Sequence, residues 1–125
     1  MPYIGKELSV NYYKVTGRGG RPTNKTRPEV ELWMDKLGTF IKEREDYLVF
    51  RGRPLIVELT GYFQDGRHPD LHNLHKVIAD ALQSALGIND KYIRFRDLDP
   101  VVGALTPTLD INILEVSQHG QKAGI

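Results

Sequence analysis

The chain has 125 residues, of which 40% are hydrophobic and 26% charged, with a net charge of +1 and no cysteine. That length suits one domain with one ordinary core, and the composition is that of a soluble globular protein. The lack of cysteine excludes disulfides and Cys-ligated zinc. No apolar run nears the roughly 18 residues that span a bilayer, and a charge this close to zero singles out no partner. Met1 to Lys6 form no apolar secretory segment, so the expected compartment is the cytoplasm.

Residues 3–12 contain a predicted strand. From Lys14 to Arg27 the chain carries Lys14, Arg18, Arg21, Lys25 and Arg27 with no acid among them. Gly17, Gly19, Gly20 and Pro22 interrupt regular structure in the same span. Residues 14–27 therefore read as a basic, glycine-rich loop with two uses open: an arm that grips phosphates, or a solvated loop. The likeness of residues 19–26 to a P-loop is superficial. Asn24 stands where a glycine would have to turn the backbone around a phosphate.

A helix is predicted next. Thr26 and Glu29 have capping-box spacing, and Pro28 suits a first turn. Val30, Trp33, Met34, Leu37 and Ile41 recur at helical spacing, which makes Trp33 and Met34 core residues rather than a base-stacking platform. Glu29 and Glu31 at the start, with Lys42 and Arg44 at the end, complement the helix dipole.

Leu55 to Phe63 reads as a strand begun by Pro54, with Leu55, Val57 and Leu59 on one face. Gly61 marks a bulge or a close approach. Gln64 to Arg67 is turn-like. A second helix is predicted over about residues 71–86, its apolar face formed by Leu71, Leu74, Ile78, Ala81, Leu82 and Ala85. Strands follow near residues 92–97 and 108–116, the last alternating Leu109, Ile111 and Ile113 on one side. Residues 117–125 are polar and expected to fray. The order β-α-β-α-β-β predicts a single domain over residues 1–125, α+β or α/β, with two main helices packed on a mixed sheet.

The densest chemistry lies between Arg67 and Lys76, where Asp70, three histidines, Asn73 and Lys76 crowd one turn-to-helix junction. A second acid, Asp90, follows just after the helix. Inside a helix, residues two apart point about 160° away from each other. Asp70 and His72 can therefore approach one volume only if Asp70 is extended, as an N-cap is. Asn73, Lys76 and Asp80 form a polar stripe opposite the apolar face, and a helix N-terminus favours anions. A phosphate bridged to a metal at Asp70 would meet both the dipole and Lys76. A plainer reading stays open, in which Asp70 caps the helix, the stripe is its wet face and the histidines are solvated.

Asp70-Leu-His-Asn-Leu-His-Lys76, followed by Asp80-Ala-Leu82 and Asn89-Asp90, resembles the RusA-type Holliday-junction resolvases. Their pattern is D-x-D-N-x-x-K, a helix containing D-A-L, and a short turn with one or two acids. Leu109 to Val116 looks like the family's C-terminal strand, and Ser9-Val-Asn11-Tyr-Tyr13 is faintly similar to its S-x-N-x-x-Y segment. The central motif is the specific part.

The resemblance implies a RusA-like fold and a small homodimeric, Mg2+-dependent endonuclease that cuts four-way DNA junctions in recombination and repair, often phage-borne. By the same resemblance, Asp70 and Asp90 match metal-binding acids, Asn73 the motif amide, and Lys76 the lysine that stabilises charge on the scissile phosphate. Asp80 belongs to the supporting D-A-L. A metal-activated water would hydrolyse the phosphodiester. Lys14, Arg18, Arg21, Lys25, Arg27 and Arg67 are the expected DNA contacts. The departure is His72, which stands where the family has its second aspartate and would be the third metal ligand. Imidazole suits Mn2+ or a softer divalent ion better than Mg2+. The expected outcomes are an altered metal preference, compensation by Asp80, Asp65 or Asn89, or a relative that binds junction DNA without cutting it.

Overall fold

The computed structural model describes residues 1–16, 22–44 and 47–116. A 3-10 turn at Lys6–Leu8 precedes strands β1 (Lys14–Thr16) and β2 (Pro22–Thr26), then helices α1 (Pro28–Lys42) and α2 (Tyr47–Phe50) and strand β3 (Leu55–Phe63). A 3-10 turn at Leu71–Leu74 runs into helix α3 (His75–Leu86), and another at Asp90–Tyr92 leads to strands β4 (Ile93–Asp97), β5 (Val101–Val102) and β6 (Thr108–Glu115). The architecture is α+β, with a mixed four-stranded sheet and a separate antiparallel ribbon of β1 and β2. No helix among the described residues is long and apolar enough to cross a membrane.

The central strand is β3. On one edge β6 pairs antiparallel to it, from Leu55↔Glu115 to Tyr62↔Thr108. On the other edge β4 pairs parallel over Leu55–Leu59, and β5 takes up the same edge at Tyr62 and Phe63. Side chains alternate across a strand, and the register carries that alternation through the sheet. Leu55, Val57, Leu59, Gly61 and Phe63 are buried on one face, while Ile56, Glu58, Thr60 and Tyr62 are half-exposed on the other. Across that open face Glu58 accepts from Arg96 of β4 at 2.8 Å and from Asn112 of β6 at 3.2 Å. Leu109, Ile111 and Ile113 lie opposite Gly61, Leu59 and Val57, so they share the helix-covered face, as their alternation predicts.

Helix α1 buries the stripe read from its spacing, whereas the second predicted helix starts at His75 rather than Leu71, residues 71–74 winding as a 3-10 turn, and Ala85 of its stripe is only half-buried. Val30, Trp33, Leu37 and Ile41 of α1 are buried, with Met34 packed against them. Val77, Ile78, Ala79, Ala81, Leu82 and Leu86 of α3 join the same core. Burying the Val, Leu and Ile side chains among them is worth about 1.5–3 kcal/mol each. Gly87 ends α3 in the left-handed conformation, φ +66°, and its N–H returns to the Gln83 carbonyl at 2.9 Å.

Several expectations need correction. Residues 3–12 form no strand. Only Met1 to Tyr3 line the start of β6, through Met1–Leu109 and Tyr3–Pro107 hydrogen bonds and a Pro2↔Thr108 bridge. Gly5, at φ +119°, then turns the chain away from the sheet edge into the 3-10 turn that buries Leu8. The Thr26/Glu29 capping box is absent because Thr26 pairs with Lys14 in the ribbon, leaving Arg27 as the N-cap of α1 without a side-chain cap bond. Residues 14–27 are not loop throughout, since 14–16 and 22–26 are paired strands. Helix α2 and strand β5 have no counterpart in the sequence reading. The expectation that residues 117–125 fray lies outside the described residues.

Gly61 makes a close approach rather than a bulge. A Cβ there would run into the Phe63 ring and stand 3.3 Å from Leu71 Cδ2. The ring cannot move aside cheaply, because Tyr3 meets it edge-on at 5.7 Å and His68 stacks on it at 5.0 Å. Gly61→Ala is therefore expected to destabilise the protein by about 1–3 kcal/mol in a urea titration. Gly66→Ala, where an added Cβ meets nothing within 4 Å, should stay within about 0.5 kcal/mol of wild type.

Candidate functional site

β3, α3 and β4 form a β-α-β unit with its two strands parallel. The segment crossing from β3 to α3 carries the motif. Its first turn is closed by Asp65, which accepts from the Arg67 backbone N–H at 2.8 Å and pairs with the Arg67 guanidinium at 2.9 Å. The guanidinium beside it holds the Asp65 carboxyl below its ordinary pKa. Pro69 follows, and Asp70 is extended, at φ −73° and ψ 129°, as the N-cap of the 3-10 turn at residues 71–74. Leu71 and Leu74 are buried and pin this turn to the core.

The Asp70 carboxylate does not cap the turn. The Asn73 N–H bonds instead to the Asp70 carbonyl at 3.1 Å, and among the described residues the carboxylate has no hydrogen bond or ion pair. Asp70 lines a cleft of about 210 Å³ with His68, His72, Asp97 and Pro100.

A second cleft, of about 440 Å³, lies between α3, β4 and the N-terminal segment. His72, Asn73, Lys76 and Asp90 line it, together with Val10, His75, Ala79 and Phe95. His72 thus belongs to both clefts, while Asp70 and Asp90 line different ones. Asp90 opens the 3-10 turn at residues 90–92, which Asn89 caps by accepting from the Lys91 N–H at 3.1 Å. The Lys76 ammonium sits 3.3 Å from Asp80 Oδ1, one helical turn on, and 3.6 Å from Asp90 Oδ2. Asp80 Oδ2 in turn accepts from the Tyr13 hydroxyl at 2.9 Å.

A further pair joins the site from β4. Ile93, Phe95 and Asp97 lie opposite Leu55, Val57 and Leu59 and so point toward the helices. The His75 ring stacks on Phe95 at 4.0 Å, and its Nε2 meets the Asp97 carboxylate at 2.8 and 3.0 Å. His72 meets His75 edge-on, with ring centres 6.5 Å apart. His75, Asp97 and Tyr13 were not among the residues singled out as candidates. A charged Asp97 closing the apolar side of an alternating strand was a readable signal. Tyr13 is marked locally only by the faint S-x-N-x-x-Y similarity of residues 9–13, and its partner is 67 residues away.

The basic residues divide. Arg18 and Arg21 lie outside the described residues. Lys14 opens β1, with its ammonium 5.3 Å from the centre of the Tyr13 ring, and Lys25 is exposed on β2. Arg27 is engaged in the fold, its Nε donating to the Tyr12 carbonyl at 2.5 Å. Among the described residues no group of three or more His, Asp or Glu side chains is arranged to hold a metal ion.

Burial and the bond to Asp80 push the Tyr13 phenol up from its ordinary value of 10 to about 12. Folding thus favours the protonated phenol. Its contribution is complete below pH 10 and fades as pH rises, because the unfolded chain ionises first. Tyr3 is shifted the same way, by burial and by Glu7. Stability should fall between pH 10 and about 12, and Tyr13→Phe should flatten that fall without abolishing it, as followed by denaturant midpoints across the range.

No protein-family model and no curated protein matches the chain.

Proposed function

We propose that this chain is a metal-dependent, structure-selective endonuclease that hydrolyses phosphodiester bonds in four-way or other branched DNA. One observation carries the reading: His72, Asn73 and Lys76 of the resolvase-like motif share a cleft with Asp90, which is 14 positions beyond Lys76 in the chain. A solvated helix face does not require that convergence.

In this reading Lys76 faces the scissile phosphate, where its ammonium offsets the charge that builds up in the transition state. Asp80 and Asp90 hold that ammonium at the cleft until DNA arrives. Asp70, whose carboxylate has no partner among the described residues, and Asp90 would hold a divalent ion, with His72 between the two clefts. Mg2+ needs only one or two carboxylates when water and substrate phosphate complete its shell, and the imidazole widens the choice toward Mn2+; because Asp70 and Asp90 line different clefts, one ion held by both would require the two to draw together. The ion would supply an activated water and polarise the phosphate. Lys14, Arg18, Arg21, Lys25 and Arg67 would supply further phosphate contacts. Cutting both strands of a symmetric junction needs two sites, which makes a C2 homodimer the expected assembly. The second reading, a relative that binds junctions without cutting, draws on His72 in place of an acid.

The experiment is cleavage of a mobile four-way junction with Mg2+ and with Mn2+, alongside binding of the same DNA. Wild type should cut. Lys76→Ala, Asp70→Asn and Asp90→Asn should each lower the rate by about 100-fold or more, the two Asp→Asn changes leaving junction binding intact, while His72→Asp should raise Mg2+-dependent cleavage. Tight binding with no cleavage of any branched DNA under either ion would identify the non-cutting binder. Replacing Arg18, Arg21 and Lys25 together with Ala should make the negative slope of log K against log salt shallower by about 2.7, or about 0.9 per lost phosphate contact. An unchanged slope would mean that these three side chains are merely solvated.

A further inference from the structure

We propose that Tyr13 is a positioning residue for Lys76, acting through Asp80: its buried hydroxyl orients the Asp80 carboxylate, which holds the lysine ammonium at the cleft. The catalytic meaning of this inference rests on the endonuclease reading, but the positioning itself does not.

A lysine side chain on a helix surface sweeps a wide volume. An exposed i,i+4 ion pair recovers less free energy than the rotamer freedom that a lysine has to lose to hold it. Lys76 and Asp80, nearly half and about a quarter exposed, would be a loose pair if nothing else held the acid. Tyr13 is what holds it. The residue is 3% exposed, and its hydroxyl donates to Oδ2 at 2.9 Å, leaving Oδ1 for the ammonium at 3.3 Å. A hydrogen bond to an ionised acceptor is shorter and stronger than one between neutral groups, enough to select one carboxylate orientation. With that orientation set, the ammonium also comes within 3.6 Å of Asp90.

The phenol is itself fixed by backbone on both sides. The Tyr12 and Tyr13 N–H groups return to the Ser9 carbonyl at 2.8 and 3.0 Å. The Tyr13 carbonyl accepts from the Arg27 N–H at 2.9 Å, and the Val10 N–H docks onto the Asn73 carbonyl at 2.8 Å. The N-terminal segment therefore grips the motif helix at two points seven residues apart, Asn73 by backbone and Asp80 by side chain. It acts as a brace on the face that carries Lys76.

The test compares wild type with Tyr13→Phe, which keeps the ring and removes the hydroxyl. On a four-way junction with Mg2+ or Mn2+, kcat should fall about 10- to 100-fold, the scale of a small misplacement of a reacting group, while KM stays within about twofold. Carbon-detected NMR of the Lys76 side chain should change from a dispersed signal to an averaged one. Asp80→Asn, which keeps an oxygen for Tyr13 but removes the charge that Lys76 needs, should lower kcat likewise, and it serves if Tyr13→Phe fails to fold. Wild-type kcat and an unmoved Lys76 signal in a folded variant would overturn the inference. If wild type itself cuts no branched DNA, the endonuclease reading fails, and the Lys76 signal alone decides. A shift to the averaged form on loss of the hydroxyl supports positioning, and no shift overturns it.

Discussion

β3 is hydrogen-bonded along both edges while one of its faces lies against the helices, and the rest of the structure depends on this arrangement. One edge belongs to β6 alone. The other is shared in succession by β4 and β5. A strand in that position must place every second residue in the core, and β3 does so without interruption from Leu55 to Phe63. Slipping the register by one residue would turn that apolar set outward and bring Glu58 into the interior. The pairing thus also determines which β4 side chains face α3. Asp97 lies opposite Leu59 and Phe95 opposite Val57, so the acid and the ring that meet His75 are set by the same register that buries the core.

The tight spot at Gly61 links this register to the motif. With no side chain at Gly61, Phe63 and Leu71 close over the strand. Leu71 is the first residue of the 3-10 turn that follows Asp70. Packing beneath the turn, rather than a side-chain cap, therefore holds Asp70 extended at the head of the motif. The Asp70 carboxylate is left without a protein partner among the described residues. Nearby acids differ: Asp65 has Arg67, Asp80 and Asp90 have Lys76, and Asp97 has His75. An exposed carboxylate with no internal partner costs nothing in water and remains available to an ion or a donor from outside. Lys76 is the opposite case, a cation shared by two acids that an incoming phosphate would have to outcompete.

Much of the fold was legible because the relevant forces are periodic. Apolar residues at helical spacing placed α1 and the α3 stripe, and alternation placed β3 and β6. The readings that failed were local signals overruled by pairing elsewhere. Thr26 has the chemistry of a cap, but the ribbon takes it as a strand residue opposite Lys14. Residues 3–12 have enough apolar side chains for a strand, but Gly5 turns them off the sheet edge and Leu8 is drawn into the core.

The sequence by itself determined α1, β3, α3 and β6, the faces they bury and the cluster of acid, amide, imidazole and lysine between Asp70 and Lys76, because each of these is written in the order of neighbouring residues. Only the tertiary structure decided which distant groups join that cluster. Asp90 reaches Lys76 through the turn after α3, Asp97 reaches His75 through the parallel register of β4, and Tyr13 reaches Asp80 across 67 residues through the brace. It also decided that Asp70 and Asp90 line separate clefts joined at His72. The physical reason is the same in each case: a hydrogen bond or ion pair depends on distances of about 3 Å, and such distances between remote residues exist only once the sheet register and helix packing have formed.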